Sequence, residues 1–313
     1  MEGIIKEISH MTCAEKPNKI LFIFNPVAGK LNSKSNMLKI IDIFKKNKYE
    51  VSLQITTGKG HATDLVLEHG FSHDIIACCG GDGTLNEVIS GALQLSKQVP
   101  IGYLPAGTTN DFANSLGLSS NIDKAADTIM NGQIKVFDIG QFNHSRYFNY
   151  IASFGAFTSS SYLTPQSIKN TIGHLAYVFE GLKDIPNIRP YHVKVEVNGE
   201  VYEDEYVFGA VSNSTSIGGI LKLSTDLVDL NDGLFEILLV KPPKTALDLH
   251  KIYLFLSKKE MGNEMVTFIK ASEATFYMEQ QIPWTLDGEF QEGGYEIFVK
   301  NQPSAVKLLL PNK

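Results

Sequence analysis

Cys79-Gly80-Gly81-Asp82-Gly83-Thr84-Leu85-Asn86-Glu87-Val88 is the end of an apolar run that breaks into glycines and passes straight into a helical pattern. Glycine lets a backbone approach a ligand closely and take positive φ. A helix that starts there turns unpaired N–H groups and the positive end of its dipole toward the loop. Such a loop suits a phosphate group. Gly-Asp-Gly is also ordinary turn chemistry, and the segment taken singly supports both readings.

Two further loops of the same character favour the first. Asn25-Pro26-Val27-Ala28-Gly29-Lys30 follows the apolar run Ile20–Phe24, and Leu104-Pro105-Ala106-Gly107-Thr108-Thr109-Asn110-Asp111-Phe112 follows Ile101–Tyr103. Together with Val51–Thr56 and Asp74–Cys79, these runs are expected strands, and the helical stretches Ser35–Lys46 and His61–His69 alternate with them. That alternation predicts βαβ units and a parallel sheet whose ligands collect at the carboxyl ends of the strands. Turn chemistry explains each loop, but not why all three combine glycine, Asn and hydroxyl side chains at one sheet edge. None matches Walker A or Gly-x-Gly-x-x-Gly, and no protein-kinase catalytic loop is present. The expected nucleotide site is therefore of another design.

Beyond about Phe142 the texture changes to Tyr, Phe and Val strands with turns at Asn198-Gly199, Asn231-Asp232-Gly233 and Gly293-Gly294, which predicts an antiparallel β-domain. Helical interruptions are expected at Ile168–Lys183 and Ala246–Lys259. Lys241, Lys244, Lys251, Lys258 and Lys259 gather around the second, either as a solvated face or as a face toward anionic lipid. A length of 313 residues with 43% apolar content suits two domains, and a net charge of −6 argues against a nucleic-acid partner. Cys13, Cys78 and Cys79 form no disulfide framework and fit a reducing cytoplasm. Met1–Lys19 lacks the apolar core of a signal peptide, and no run is long enough to span a bilayer.

These residues resemble the diacylglycerol kinase catalytic-domain family, which includes bacterial diacylglycerol kinases and the sphingosine and ceramide kinases. The likeness rests on Asn25-Pro26…Gly29, Thr56-Thr57…Gly60-His61-Ala62, Gly80 to Glu87 and Pro105 to Ala113. It continues through Asn231-Asp232-Gly233-Leu234 and Asp287-Gly288-Glu289. The resemblance implies an α/β fold: an N-terminal NAD kinase-like α/β nucleotide-binding domain over 18–140, and a C-terminal antiparallel β-sandwich over 141–301. A final strand at about 302–313 would return to the first domain, with Ala305–Leu310 as its candidate. It implies an ATP-dependent lipid kinase with Mg²⁺, acting on diacylglycerol or a similar lipid. Such an enzyme would be cytoplasmic, transiently peripheral at the inner membrane surface, and a homodimer in the family manner.

Residue by residue, the resemblance implies that Asn25, Pro26, Val27, Ala28, Gly29 and Thr57 hold the ATP phosphates. Gly80, Gly81, Asp82, Gly83, Thr84, Leu85 and Asn86 would wrap the nucleotide, with Thr108 a further contact and His61 near phosphate. Asp82 and Asp111 would orient catalytic Mg²⁺. Asp287-Gly288-Glu289 would supply the base for the lipid hydroxyl, with the choice between Asp287 and Glu289 open. Asp287-Gly288 is equally an ordinary hairpin turn. A structural Mg²⁺ site is implied at Asp229, Asp232 and Leu234, although Ser224-Thr225-Asp226-Leu227-Val228 departs from the family's Pro-x-Ala there. Two rivals remain at this level: an NAD kinase-like phosphotransferase, which shares Gly-Gly-Asp-Gly, and a non-catalytic nucleotide-binding regulator of the same fold.

Overall fold

The runs of Ile, Phe and Cys that follow Asn18 form a sheet buried on both faces, as β-rich apolar runs without polar alternation do. The computed structural model describes residues 18–29, 33–108, 110–156, 189–213, 216–217, 221–222, 230–258 and 263–312, with main chain alone for Asp111, 216–217, 221–222 and 256–258. The helix expected at Ile168–Lys183 lies outside the described residues, as do Lys30, Thr109, 224–228, Asp229 and Lys259.

Strands β1 (Lys19–Phe24), β2 (Glu50–Ile55), β3 (Ile75–Gly80) and β4 (Ile101–Pro105) pair in parallel in the order β2-β1-β3-β4. Helices α1 (Lys34–Lys46), α2 (His61–His69), α3 (Asp82–Ala92), α4 (Asp111–Ser115) and α5 (Ile122–Asn131) belong to the same half. Ser33 caps α1 by accepting from the Asn36 amide, and Asn121 caps α5 by accepting from Lys124. Ile20, Phe22 and Cys79 face α1 and α5, whereas Leu21, Ile23 and Cys78 face α2 and α3. The adjacent cysteines thus fill opposite cores, as expected. Burial pushes the Cys79 thiol up to about 12 and raises Cys78 well above its ordinary value, so both are inert apolar packing.

The second half opens with β5 (Gln133–Phe142), β6 (Arg146–Phe148) and β7 (Ile151–Gly155), followed by β8 (Tyr191–Val197), β9 (Glu200–Tyr206) and β10 (Phe208–Ser212). After the short pair β11 (Ser216–Ile217) and β12 (Leu221–Lys222) come β13 (Phe235–Val240), helix α6 (Ala246–Lys258), β14 (Val266–Ala271), β15 (Glu273–Met278), β16 (Trp284–Leu286), β17 (Glu289–Gln291) and β18 (Glu296–Leu310). Asn198 and Gly199 both take positive φ and join β8 to β9, the backbone that an Asn-Gly hairpin turn requires.

A six-stranded antiparallel sheet, β14-β13-β10-β7-β16-β17, packs through Phe154, Phe235 and Trp284 on the strands β8, β15 and β18. Trp284 is buried among Phe142, Phe154 and Phe276, with ring centroids 4.9–5.3 Å apart. The other sheet is continuous across both halves. Strand β18 pairs with β15 through Glu296–Lys300, with β5 along most of its length, and with β4 in parallel at Leu308 and Ile101. The return expected at Ala305–Leu310 is therefore the last stretch of a 15-residue strand that begins in the sandwich.

Candidate active site

The three glycine loops meet as expected, because β1, β3 and β4 are adjacent and all end at the same edge. The ladder continues past the strands, with the Asn25 amide donating to Cys79 O at 2.9 Å and the Ala106 amide to Gly80 O at 2.8 Å. The loops then touch glycine to glycine. A Cβ placed at Gly29 (φ +43) would stand 2.2 Å from Ala106 O, and one at Gly107 would stand 2.8 Å from Gly81 Cα and 2.6 Å from Asn110 Oδ1. Only residues without a side chain allow this approach.

Within the crevice, Asn25 Nδ2 donates to Thr84 Oγ1 at 2.8 Å, and Asn25 Oδ1 accepts from the Val27 amide at 3.0 Å. The amide group is thus fixed at both ends. Gly81 stands at the N-cap of this 11-residue helix and, being glycine, offers its first amides no side-chain acceptor of its own. A glycine N-cap, a positive dipole end and glycines on three sides together fit a chain of phosphates. Asn110 holds φ +50 and its Nδ2 donates to Gly107 O, which sets the third loop. Thr108 is exposed at that loop, and Pro26 and Val27 are exposed on the first. Asp82 opens α3, and its charge, after burial, raises the Tyr103 phenol above its ordinary value.

Leu85 behaves differently from its neighbours. Its side chain is fully buried against the sheet and its amide donates to Gly81 O, so it packs the helix rather than facing the crevice. Thr57 donates its amide to His61 Nδ1 at 3.0 Å, with its hydroxyl at the same distance. The N-terminus of α2 is likewise engaged: Glu87 accepts from the Gly60 and Ala62 amides at 2.7 and 3.1 Å. Its carboxylate fills the position an anion would take, so α3 rather than α2 offers the open helix end.

The hairpin β16–β17 places Asp287-Gly288-Glu289 against this crevice. Asp287 (φ +51) and Gly288 (φ +84) form its tight turn, so the plain hairpin reading holds alongside the functional one. The Asp287 carboxylate accepts from the amides of Asn149 (2.7 Å), Tyr150 (3.0 Å) and Ile151 (3.2 Å), and from Asn86 Nδ2 (3.1 Å). Burial pushes this carboxyl up to about 6, against the pull of those four donors toward the ionised form. Glu289 has a different setting. A Cβ placed at Gly83 would stand 2.7 Å from its Oε1, and its Oε2 lies 3.1 Å from Lys59 Nζ.

Residues 19–142 match the family model described as the diacylglycerol kinase catalytic domain, and residues 158–310 match the YegS C-terminal NAD kinase beta sandwich-like domain. A diacylglycerol kinase of Bacillus subtilis (strain 168) is 34% identical over 270 residues, covering 86% of this chain and 88% of that protein. The chain belongs to the diacylglycerol kinase catalytic-domain family. A diacylglycerol kinase of Staphylococcus carnosus (strain TM300) is 33% identical over 271 residues, covering 86% of this chain and 87% of that one. A crystal structure of a diacylglycerol kinase from Bacillus anthracis str. Sterne superposes with a TM-score of 0.72 over 94% of this chain and 97% of that one; at 23% identity it speaks for the fold. Membership makes the protein a phosphotransferase of the kinase type, for which the family implies ATP.

Other parts of this kinase were not foreseen from its sequence. Lys59, the 149–151 amides and the role of Glu87 carry no local signal, because each acquires its partner through the fold, and Arg146 carries none because strand pairing alone brings it to the cleft. Lys59 and Glu289 are 76% and 45% exposed, and an ion pair so open to water contributes under about 1 kcal/mol. Lys59→Ala is therefore expected to leave the urea midpoint of unfolding nearly unchanged. Gly107→Ala should act on the nucleotide instead: its Cβ forces apart two loops already in contact, and misplacement of about 1 Å costs on the order of a hundredfold. The expected readout is KM for ATP, rising at least tenfold.

No group of three His, Cys, Asp or Glu side chains able to hold a metal occurs among the described residues. Asp232 accepts from the Leu234 amide at 3.0 Å and lies 3.7 Å from Lys270, while Asp229 and the Asp111 side chain lie outside the description. Of the lysines around α6, Lys241 pairs with Asp204 and Lys251 with Glu264. No helix among the described residues is long and apolar enough to cross a membrane.

Proposed function

We propose that this kinase transfers the γ-phosphoryl group of ATP to the hydroxyl of diacylglycerol or a similar membrane lipid, with Glu289 as the base. One observation carries the base assignment. Glu289 Oε1 lies over Gly83 at the start of α3, whereas both oxygens of Asp287 are engaged by four donors. Asp287 is then a positioning residue that fixes the hairpin carrying Glu289. A base must reach the proton it takes, and only Glu289 keeps an oxygen directed at the phosphate loop.

Asn25 to Gly29, Gly80 to Thr84, Asn86, Thr57 and Thr108 are proposed to line the nucleotide, with Leu85 supporting them from the core. Asp82 and Asp111 are proposed to orient Mg²⁺, which when bound offsets charge on the phosphates. Mg²⁺ takes one or two carboxylates plus phosphate oxygens rather than a protein cage. A second Mg²⁺ at Asp229, Asp232 and Leu234, the homodimer and the transient membrane contact rest on the resemblance alone. So does the assignment of 18–140 with 302–313 to nucleotide and of 141–301 to lipid.

The test is incubation with γ-labelled ATP and either diacylglycerol in mixed micelles or NAD. Label in phosphatidic acid is expected. Label in NADP with none in lipid would reverse the acceptor, and label in neither would leave the regulator reading.

A further inference from the structure

Strand β6 is clamped between the two halves of the site. Asn86 Nδ2 lies 3.1 Å from Tyr147 O on one side, and the Asn149 amide donates to Asp287 on the other. Phe148 stacks on Phe235 in the core and covers Gly140, where a Cβ would stand 2.1 Å from its ring. The strand cannot slide. Its first residue, Arg146, is thereby held at a small cleft lined also by Gly83, Asn86, Asp287 and Glu289.

Arg146 is half-buried there, and among the described residues its guanidinium has no hydrogen-bond or ion-pair partner. Two carboxylates share the cleft without engaging it, since Asp287 is filled by four donors and Glu289 Oε2 is held by Lys59. A planar fork of five donors that is always charged, held beside an open helix start, matches tetrahedral phosphate oxygens in geometry and charge. The cleft also needs such a cation, because a phosphoryl group passing beside the Glu289 carboxylate meets charge of its own sign.

We infer that Arg146 is a further catalytic residue, which binds the non-bridging oxygens of the phosphoryl group as it passes from nucleotide to acceptor. The inference rests on the proposal that this cleft is the site of transfer. Glu289 takes the hydroxyl proton, the acceptor oxygen forms a bond to phosphorus, and the bond to the bridging oxygen breaks with its electron pair leaving on ADP. Arg146 exchanges no proton and holds the charge throughout.

Two measurements test this. In the lipid assay, Arg146→Gln should lower kcat by a hundred- to a thousandfold, the scale of one lost donor to a developing oxyanion, with KM for ATP within about threefold. Arg146→Lys should restore part of kcat. In the second measurement, binding of ADP is compared with binding of ADP plus aluminium fluoride and Mg²⁺. Arg146→Gln should keep wild-type affinity for ADP and lose the extra tightening by fluoroaluminate. An unchanged kcat, or a loss of ADP affinity with the fluoroaluminate gain intact, would overturn the assignment. If the wild type phosphorylates no lipid yet Arg146→Gln still abolishes the fluoroaluminate gain, the acceptor reading fails and Arg146 stands.

Discussion

Glu289→Gln should lose two to four orders of magnitude in kcat, the scale of a positioned general base, while its melting temperature and KM for ATP stay close to wild type. The substitution keeps the shape of the side chain and an oxygen to accept from Lys59. It removes the ability to hold a proton taken from the acceptor. Glu289 is 45% exposed and bonded to one partner at the surface, so little stability depends on its charge. A kinetic loss with an intact fold is the signature that separates a base from a structural carboxylate. Steady-state kinetics with saturating ATP and a diacylglycerol series, alongside a thermal melt, checks both. If Glu289→Gln retains more than a tenth of wild-type kcat, the base lies elsewhere.

The meeting of the three glycine loops was legible in the sequence and the different settings of Asp287 and Glu289 were not, for one physical reason. Each glycine loop is set by its own residues: strand, small-residue turn, helix start. Once β1, β3 and β4 pair in parallel, their carboxyl ends must meet, and three local readings become one site. The contacts that discriminate Asp287 from Glu289 join residues 201 and 230 positions apart, Asn86 to Asp287 and Lys59 to Glu289. Nothing in Asp-Gly-Glu itself says which acid turns inward. The same holds for Glu87, which a sequence reading places on a helix face but which in the fold fills the N-terminus of the neighbouring helix. Leu85 shows the converse, since a residue inside the glycine motif turns its side chain into the core.

Asp287→Asn should differ in kind, costing stability first and activity through it. An amide offers one acceptor oxygen where the carboxylate offers two. In either orientation its NH₂ faces two donors, the Tyr150 and Ile151 amides or the Asn149 amide and Asn86 Nδ2. Leaving two part-buried donors unmatched costs about 2–6 kcal/mol. The pH dependence follows from the raised carboxyl, which stands at about 6 in the folded chain against an ordinary 3.8. The folded state therefore binds this proton more tightly than the unfolded state. The stabilisation is fully present below about pH 4 and is lost as pH rises through 6, by at most about 3 kcal/mol. The amide of the variant carries no such proton, so the gap in unfolding free energy between wild type and Asp287→Asn should be widest near pH 4.5 and narrower at pH 7.5. Urea titrations at the two values measure it. A gap that widens with pH would mean that the four donors outweigh burial and hold Asp287 ionised throughout. In both cases kcat should fall with the loosened hairpin, because Glu289 is two residues further along the chain and inherits any movement of the turn.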